Sequence, residues 1–305
     1  ISGVSALPYL QIYFMGLAPN LIYNMGAGLL RAVGDSKTPL IFLVISCFVN
    51  IVLDIILIRY MNMGVTGAAI ATVTSQIISA VLVIIVLYHR NDALKLRLKS
   101  LQINFSELSK MISIGTAAGM QSAMYTIANI LIQASINSLG TDTIAAFTAY
   151  GKIDTLFWMT IQSLGISVTT FTGQNFGYGN KERVKKGIIY GMILSVVVTG
   201  IVIVILKLFG RSIYTLFTND ENVLKIGTDM LNFMVVAFPA YIIIEIFSGS
   251  LRGIGDSWIP MIMTAGGVCV LRIAWIIVMV PKFPNFYTIL WAYPLSWIIT
   301  STLFL

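Results

Sequence analysis

Apolar runs recur along the chain at about residues 8–30, 39–58, 65–88, 111–138, 143–172, 187–209, 228–250, 258–280 and 286–305. A helix needs roughly 20 mostly apolar residues to cross a bilayer. The pattern therefore predicts nine spanning helices. No basic n-region precedes a short apolar core, so no secretory signal is readable. One polar interval is long, residues 90–110, where leucine alternates with base through Leu94-Lys95-Leu96-Arg97-Leu98-Lys99. It reads as a cytoplasmic connector between residues 1–89 and 111–305, with Ser106 as the N-cap of the next helix. Contact of its basic residues with anionic lipid is the alternative reading.

The charges orient these segments. One set of loops holds twelve basic residues, among them Arg31, Lys37, Arg90, Lys110, Lys181 and Arg252. The alternate set holds five: Arg59, Lys207, Arg211, Lys225 and Lys282. The positive-inside rule makes the first set cytoplasmic. Composition agrees with a membrane address, since 57% of the 305 residues are hydrophobic and 10% charged, against roughly 25% charged in soluble domains. A disordered chain, a disulfide-stapled secreted domain and an ordinary cytosolic enzyme are excluded together. Cys47 and Cys269 lie in apolar runs and read as core residues, and His89 alone makes no metal site.

The chain repeats itself. Leu30-Arg31-Ala32-Val33-Gly34-Asp35-Ser36-Lys37-Thr38-Pro39 returns as Leu251-Arg252-Gly253-Ile254-Gly255-Asp256-Ser257-Trp258-Ile259-Pro260, offset by 221 residues with six identities in ten. Six predicted crossings separate the copies, so both face one side and the repeat is parallel. Each copy reads first as a rigid corner. Its Gly34 or Gly255 ends a helix in a left-handed turn, and Asp35 or Asp256 (or the serine after it) caps the next helix. Pro39 or Pro260 takes an early helical position. A gate is the functional alternative, with Arg–Asp pairs among Arg31, Asp35, Arg252 and Asp256 closing the cytoplasmic side in one state. The same offset places the counterpart of Met111 about 110 residues before Ile1. The expected fold is thus an all-α polytopic membrane protein of two parallel six-helix lobes. In this chain the first lobe lacks about three helices and the last helix falls about one turn short.

The paired Leu-Arg-x-x-Gly-Asp-x-x-x-Pro motif resembles the MATE (multidrug and toxic compound extrusion) family of the MOP flippase superfamily. So do Gly64-Val65-Thr66-Gly67-Ala68-Ala69, Gly140-Thr141-Asp142-Thr143-Ile144-Ala145 and Gly173-Gln174-Asn175-Phe176-Gly177-Tyr178-Gly179-Asn180. By this resemblance the chain covers helices 4 to 12 of twelve. The resemblance implies export of organic, often cationic compounds by sodium or proton antiport and alternating access. It also implies a multi-pass protein of a bacterial plasma or inner membrane, monomeric, with membrane lipid, small-molecule substrate and coupling cation as partners. No nucleic acid, no cofactor beyond the coupling ion and no metal centre are expected. The family branch with a cation site in the second lobe has acids where Tyr125 and Tyr241 stand here, with Glu245 one turn beyond, so that site does not transfer intact.

Ionisable groups at membrane depth mark function by default because they are costly there. They are Asp54, Lys152, Asp154, Glu245 and Arg272. Glu245, six residues after Pro239, is the first candidate for the coupling cation; its structural alternative is a carboxylate paired with Arg272 or Lys152. Asp154 is the second candidate, with Lys152 tuning it, and Arg272 is expected to pair with an acid. Asp54 shares a face with Asn50 and reads as structural. Gln121, Tyr125, Asn129, Gln133 and Asn137, at steps of four, form a polar stripe that either glues helices or walls a cavity with Tyr241. Met120, Met124, Trp158 and Met159 offer apolar contact. No Walker loop, Gly-x-Ser-x-Gly or His-Glu-x-x-His motif appears, so the chain reads as no enzyme. A lipid-linked saccharide flippase of the same fold and an inactive truncated product are the alternatives.

Overall fold

The computed structural model describes residues 3–90, 92, 94–97 and 102–305, with side chains from residue 7 onward. The chain forms two compact units, residues 1–103 and 104–305. Among the described residues four helical stretches are long and apolar enough to cross a membrane, at Lys37–Tyr60, Gly64–His89, Lys181–Tyr214 and Trp258–Met279. A bent pair, Glu221–Val235 with Phe238–Gly253, makes a fifth.

The first unit holds α1 (Gly3–Met15), α2 (Leu17–Ala32), α3 (Lys37–Asp54, widening into π turns over Ile55–Tyr60) and α4 (Gly64–His89). The apolar run at 8–30 is therefore two helices, not one. Pro19 has no N–H for the Met15 carbonyl, and α1 ends at Met15. The second unit shows the same device. The run at 228–250 is α8 (Glu221–Val235) and α9 (Phe238–Gly253), bent by 51°. Pro239 cannot serve the carbonyl of Val235, the last residue of α8.

α4 packs along α1, α2 and α3, and Tyr23, Leu30, Phe42, Val83 and Leu87 form the unit's buried core. After α4 the chain folds back. Leu94 and Leu96 pack on that core, the Leu96 N–H donates to Leu87 O at 2.9 Å, and Arg90 pairs with both Asp92 and Asp35. Positions 91, 93 and 98–101 of the expected connector lie outside the described residues. The next helix starts earlier than the sequence suggests. α5 (Phe105–Asn137) is capped by Asn104, whose Oδ1 accepts from the Ser106 and Glu107 amides, so Ser106 is inside the helix. Asn competes as well as Ser for this role.

The two copies of the repeat fold alike. Gly34 and Gly255 take φ of 88° and 93°, a region that costs glycine little. The Gly34 amide donates to Arg31 O and the Asp35 amide to Leu30 O; Gly255 and Asp256 do the same to Arg252 O and Leu251 O. The aspartates do the capping. Asp35 Oδ1 accepts from Thr38 N, and Asp256 Oδ1 from Trp258 N and Ile259 N, while Ser36 and Ser257 make no cap bond. Both copies of the motif form the rigid corner. Among the described residues Arg31 and Asp35 form no ion pair, nor do Arg252 and Asp256; Asp35 takes Arg90 and Arg252 takes Glu245.

The second unit continues with α6 (Thr141–Gly177), α7 (Lys181–Tyr214), α8, α9, α10 (Trp258–Thr264), a π-helical stretch over Ala265–Val270, α11 (Leu271–Met279), α12 (Phe286–Leu290) and α13 (Ala292–Phe304). α6 is its spine, packed on α7, α8 and α9. α6 and α9 touch through backbone. A Cβ on Gly249 would lie 2.8 Å from Gly165 O, and one on Gly253 2.6 Å from Thr169 O. Small residues let membrane helices approach this closely. Beside that contact Phe157 stacks on Phe238 at 3.9 Å, and Trp158, Tyr241 and Trp297 meet edge to face. Cys269 is buried as expected, whereas Cys47 lies on the outside of α3.

Candidate functional site

The second unit carries a half-open cavity of about 580 Å³ walled by α5, α6, α9, α11 and α13. α6 supplies a ladder at steps of four: Tyr150, Asp154, Trp158 and Gln162 all line it. Such steps keep side chains on nearly one face. The ladder is bonded along its length. Tyr150 Oη donates to Asp154 Oδ1 at 3.0 Å and Trp158 Nε1 to Oδ2 at 2.6 Å. Each carboxylate oxygen is thus held by its own helix, one turn below and one above. Lys152, expected to tune Asp154, is exposed and forms no ion pair among the described residues. Two residues apart, the pair points in different directions.

α5 brings Tyr125, Asn129 and Gln133 to the opposite wall, as expected, together with Ser122 and Thr126. Gln121 does not reach it, a correction to the stripe. Successive steps of four drift by about 40° each, so the stripe has wound off the wall by Gln121. The alternation of four and three that joins residues 122, 126, 129 and 133 follows one straight face. Gln133 Nε2 donates to Asn137 Oδ1 at 2.9 Å, along α5 itself. Of the four apolar candidates Trp158 lines the cavity, Met124 packs against the cluster around Met261, and Met120 and Met159 are exposed.

α9 contributes Tyr241 to the wall, while Glu245 stands one turn behind it and does not line the cavity. Glu245 is buried. Tyr241 Oη donates to its Oε2 at 3.5 Å and Arg252 Nη2 to its Oε1 at 3.4 Å. Its carboxyl lies flat over Gly165, where any added Cβ would collide with it. The expected alternative partners, Arg272 and Lys152, are not the ones it has. The α9 helix itself provides Arg252, two turns on.

Arg272 corrects a second expectation. It lines the cavity and is 3% exposed, yet no acid pairs with it among the described residues. Its guanidinium lies 4.3 Å from the centre of the Tyr293 ring and donates through Nη2 to Ser296 Oγ at 3.4 Å. Asp54 belongs to the first unit, at the end of α3, where its Oδ1 and Asn50 Nδ2 are buried without hydrogen-bond partners. Outside the membrane, the Thr38 amide and then the Arg90 guanidinium hold Asp35 below the usual carboxylate range, against the opposing effect of burial.

Phe147, Tyr150, Gln162 and Tyr293 are wall residues that the sequence reading passed over. The α6 ladder had a visible signal, an acid flanked at four-residue steps by two aromatics. Tyr293 had none, because only the packing of α13 on α9 and on the π-helical stretch brings it there.

Together the apolar helices and the broken span define a multi-pass membrane protein whose second unit carries a cavity lined by polar and aromatic side chains. The MatE family profile matches residues 4–56 and 117–278, and the chain belongs to the MatE family. A probable multidrug resistance protein, YpnP, of Bacillus subtilis is 28% identical over 87% of this chain and 59% of its own length. A probable multidrug resistance protein, NorM, of Thermotoga maritima is 27% identical over 92% of this chain and 61% of its own. The chain thus spans about three fifths of these relatives. Among solved structures, the outward-facing conformation of a multidrug resistance MATE family transporter of the MOP superfamily superposes with a TM-score of 0.90. That superposition covers 98% of this chain and 67% of the other, at 21% identity.

Proposed function

We propose that this protein exports amphipathic aromatic compounds, cations among them, across the plasma membrane by ion-coupled antiport and alternating access. The observation that carries the reading is Asp154, a carboxylate held by Tyr150 and Trp158 in the wall of a cavity lined with aromatics and amides. Aromatic faces attract organic cations, and neutral amides tolerate ligands of different shape. No nucleophile–base pair is needed for such a task.

Coupling falls to Glu245. A proton or sodium ion arriving there competes with Arg252 for Oε1, and Tyr241 joins that carboxylate to the cavity through Oε2. Ion entry therefore loosens the rigid corner that carries Arg252 and shifts the Tyr241 hydroxyl in the substrate wall. A ligand that favours one state of that pair shifts the equilibrium between outward and inward forms by its differential affinity.

The test is ethidium binding and efflux by the full-length protein and its Asp154→Asn variant. The variant should bind ethidium about tenfold more weakly, the scale of a desolvated charged contact. Wild-type binding and efflux by Asp154→Asn would contradict the reading.

A further inference from the structure

The exporter reading leaves Arg272 without a task. Its guanidinium carries five donors and keeps its charge under all ordinary conditions. Yet it is almost wholly buried, and Nε has no hydrogen-bond partner. Its contacts are the Tyr293 ring and the Ser296 hydroxyl, and no carboxylate lies within 4.0 Å among the described residues. Asp154 shares the cavity but lies beyond ion-pair distance of Arg272, its oxygens accepting from Tyr150 and Trp158. A buried cation left unpaired at membrane depth is costly. Among the described residues the cavity therefore contains a base that no acid answers. What it lacks is an anion.

We propose that Arg272 is an oxyanion-binding residue, gripping the carboxylate or phosphate of a substrate through its Nε edge. The substrate's flat aromatic body would lie along Tyr293, Trp158 and Tyr241, and a cationic group, where present, would meet Asp154. The favoured substrates are zwitterions or aromatic acids rather than cations alone. The guanidinium fork matches an oxyanion with two parallel hydrogen bonds, and Tyr293 fixes the plane of the fork in advance. The π-helical stretch over Ala265–Val270 ends one residue before Leu271-Arg272. Such stretches recur at functional sites, where they offset the register of the side chains that follow. This inference rests on the cavity being the substrate site.

The test uses rhodamine B and its ethyl ester, which share a cationic xanthene and differ in a free carboxylate. Binding to the purified full-length protein is read by fluorescence anisotropy. The wild type should bind the free acid more tightly than the ester. Arg272→Gln should weaken the acid by about tenfold, as loss of a charge-assisted bidentate contact does, and leave the ester within about twofold. Arg272→Lys should recover part of the acid's affinity, because a point charge replaces the fork. Equal weakening of both dyes in Arg272→Gln would mean a packing role and overturn the proposal, as would unchanged binding of the acid. Binding of the ester alone by the wild type overturns the oxyanion assignment and leaves the cavity reading standing. Binding of neither dye overturns the cavity reading and this assignment with it.

Discussion

Adding one methyl group to Gly249 should be far more damaging than adding one to Gly28, its counterpart at the repeat offset of 221 residues. Around Gly28 a new Cβ meets nothing within 4 Å. Gly28→Ala therefore gains helix propensity alone, about 0.5–1 kcal/mol. At Gly249 the same Cβ lies 2.8 Å from Gly165 O and 3.1 Å from Thr169 Oγ1. The obstacle is backbone, which cannot rotate away, so α9 must move off α6. Overpacking of this kind costs about 1–3 kcal/mol, and the propensity gain offsets less than half of the upper figure. The propensity gain is common to both, so the two variants should differ by the overpacking cost, about 1–3 kcal/mol on these scales. At about 2–4 °C per kcal/mol for domains of this size, thermal unfolding of the full-length protein in detergent separates them readily. Gly249→Ala should also reduce efflux, because Glu245 lies over the neighbouring Gly165. A Gly249→Ala protein as stable as Gly28→Ala would refute the claim that the α6–α9 backbone contact holds the site.

Two further outcomes follow from the corners and from the cavity wall. Asp35→Ala removes the cap on Thr38 and should lower stability by about 1 kcal/mol. Because the Asp35 pKa is held down in the folded protein, that stabilisation is present above the unfolded carboxylate value of about 3.9 and fades as pH falls below it. Unfolding temperatures of wild type and variant should accordingly converge in acid and stay apart at neutral pH. Lys152→Gln should leave ethidium affinity unchanged and shift stability by no more than about 0.5 kcal/mol, as exposed positions do. A drop in affinity like that of Asp154→Asn would restore the pairing that the structure does not contain.

Much of this fold is legible in one sequence because a membrane makes segment length and apolarity decisive. The repeated corners are legible in outline, since glycine, aspartate and proline each have few ways to satisfy a turn, but only the structure decides for aspartate over serine as the cap. The helix breaks at Met15 and Val235 were harder. A proline marks them, but it acts on the carbonyl four residues earlier, inside an unbroken apolar run. Pairing among the buried charges was the least legible part. Arg252 stands seven residues from Glu245, two helical turns on, but only the folded chain shows that it, and not Arg272, reaches the carboxylate. Arg272 looked like a lobe-holding ion pair because lone buried charges are rare; its orphaned Nε is visible only once α13 is in place.

The most direct measurement is gradient-driven dye efflux from proteoliposomes holding the full-length protein, wild type against Glu245→Gln, under imposed proton and sodium gradients. The neutral amide keeps the shape over Gly165 but gives up both the ion pair with Arg252 and the site for a coupling cation. Glu245→Gln should still bind ethidium but show efflux that no longer responds to either gradient. Efflux that still follows a gradient at the wild-type rate would contradict the assignment of coupling to Glu245.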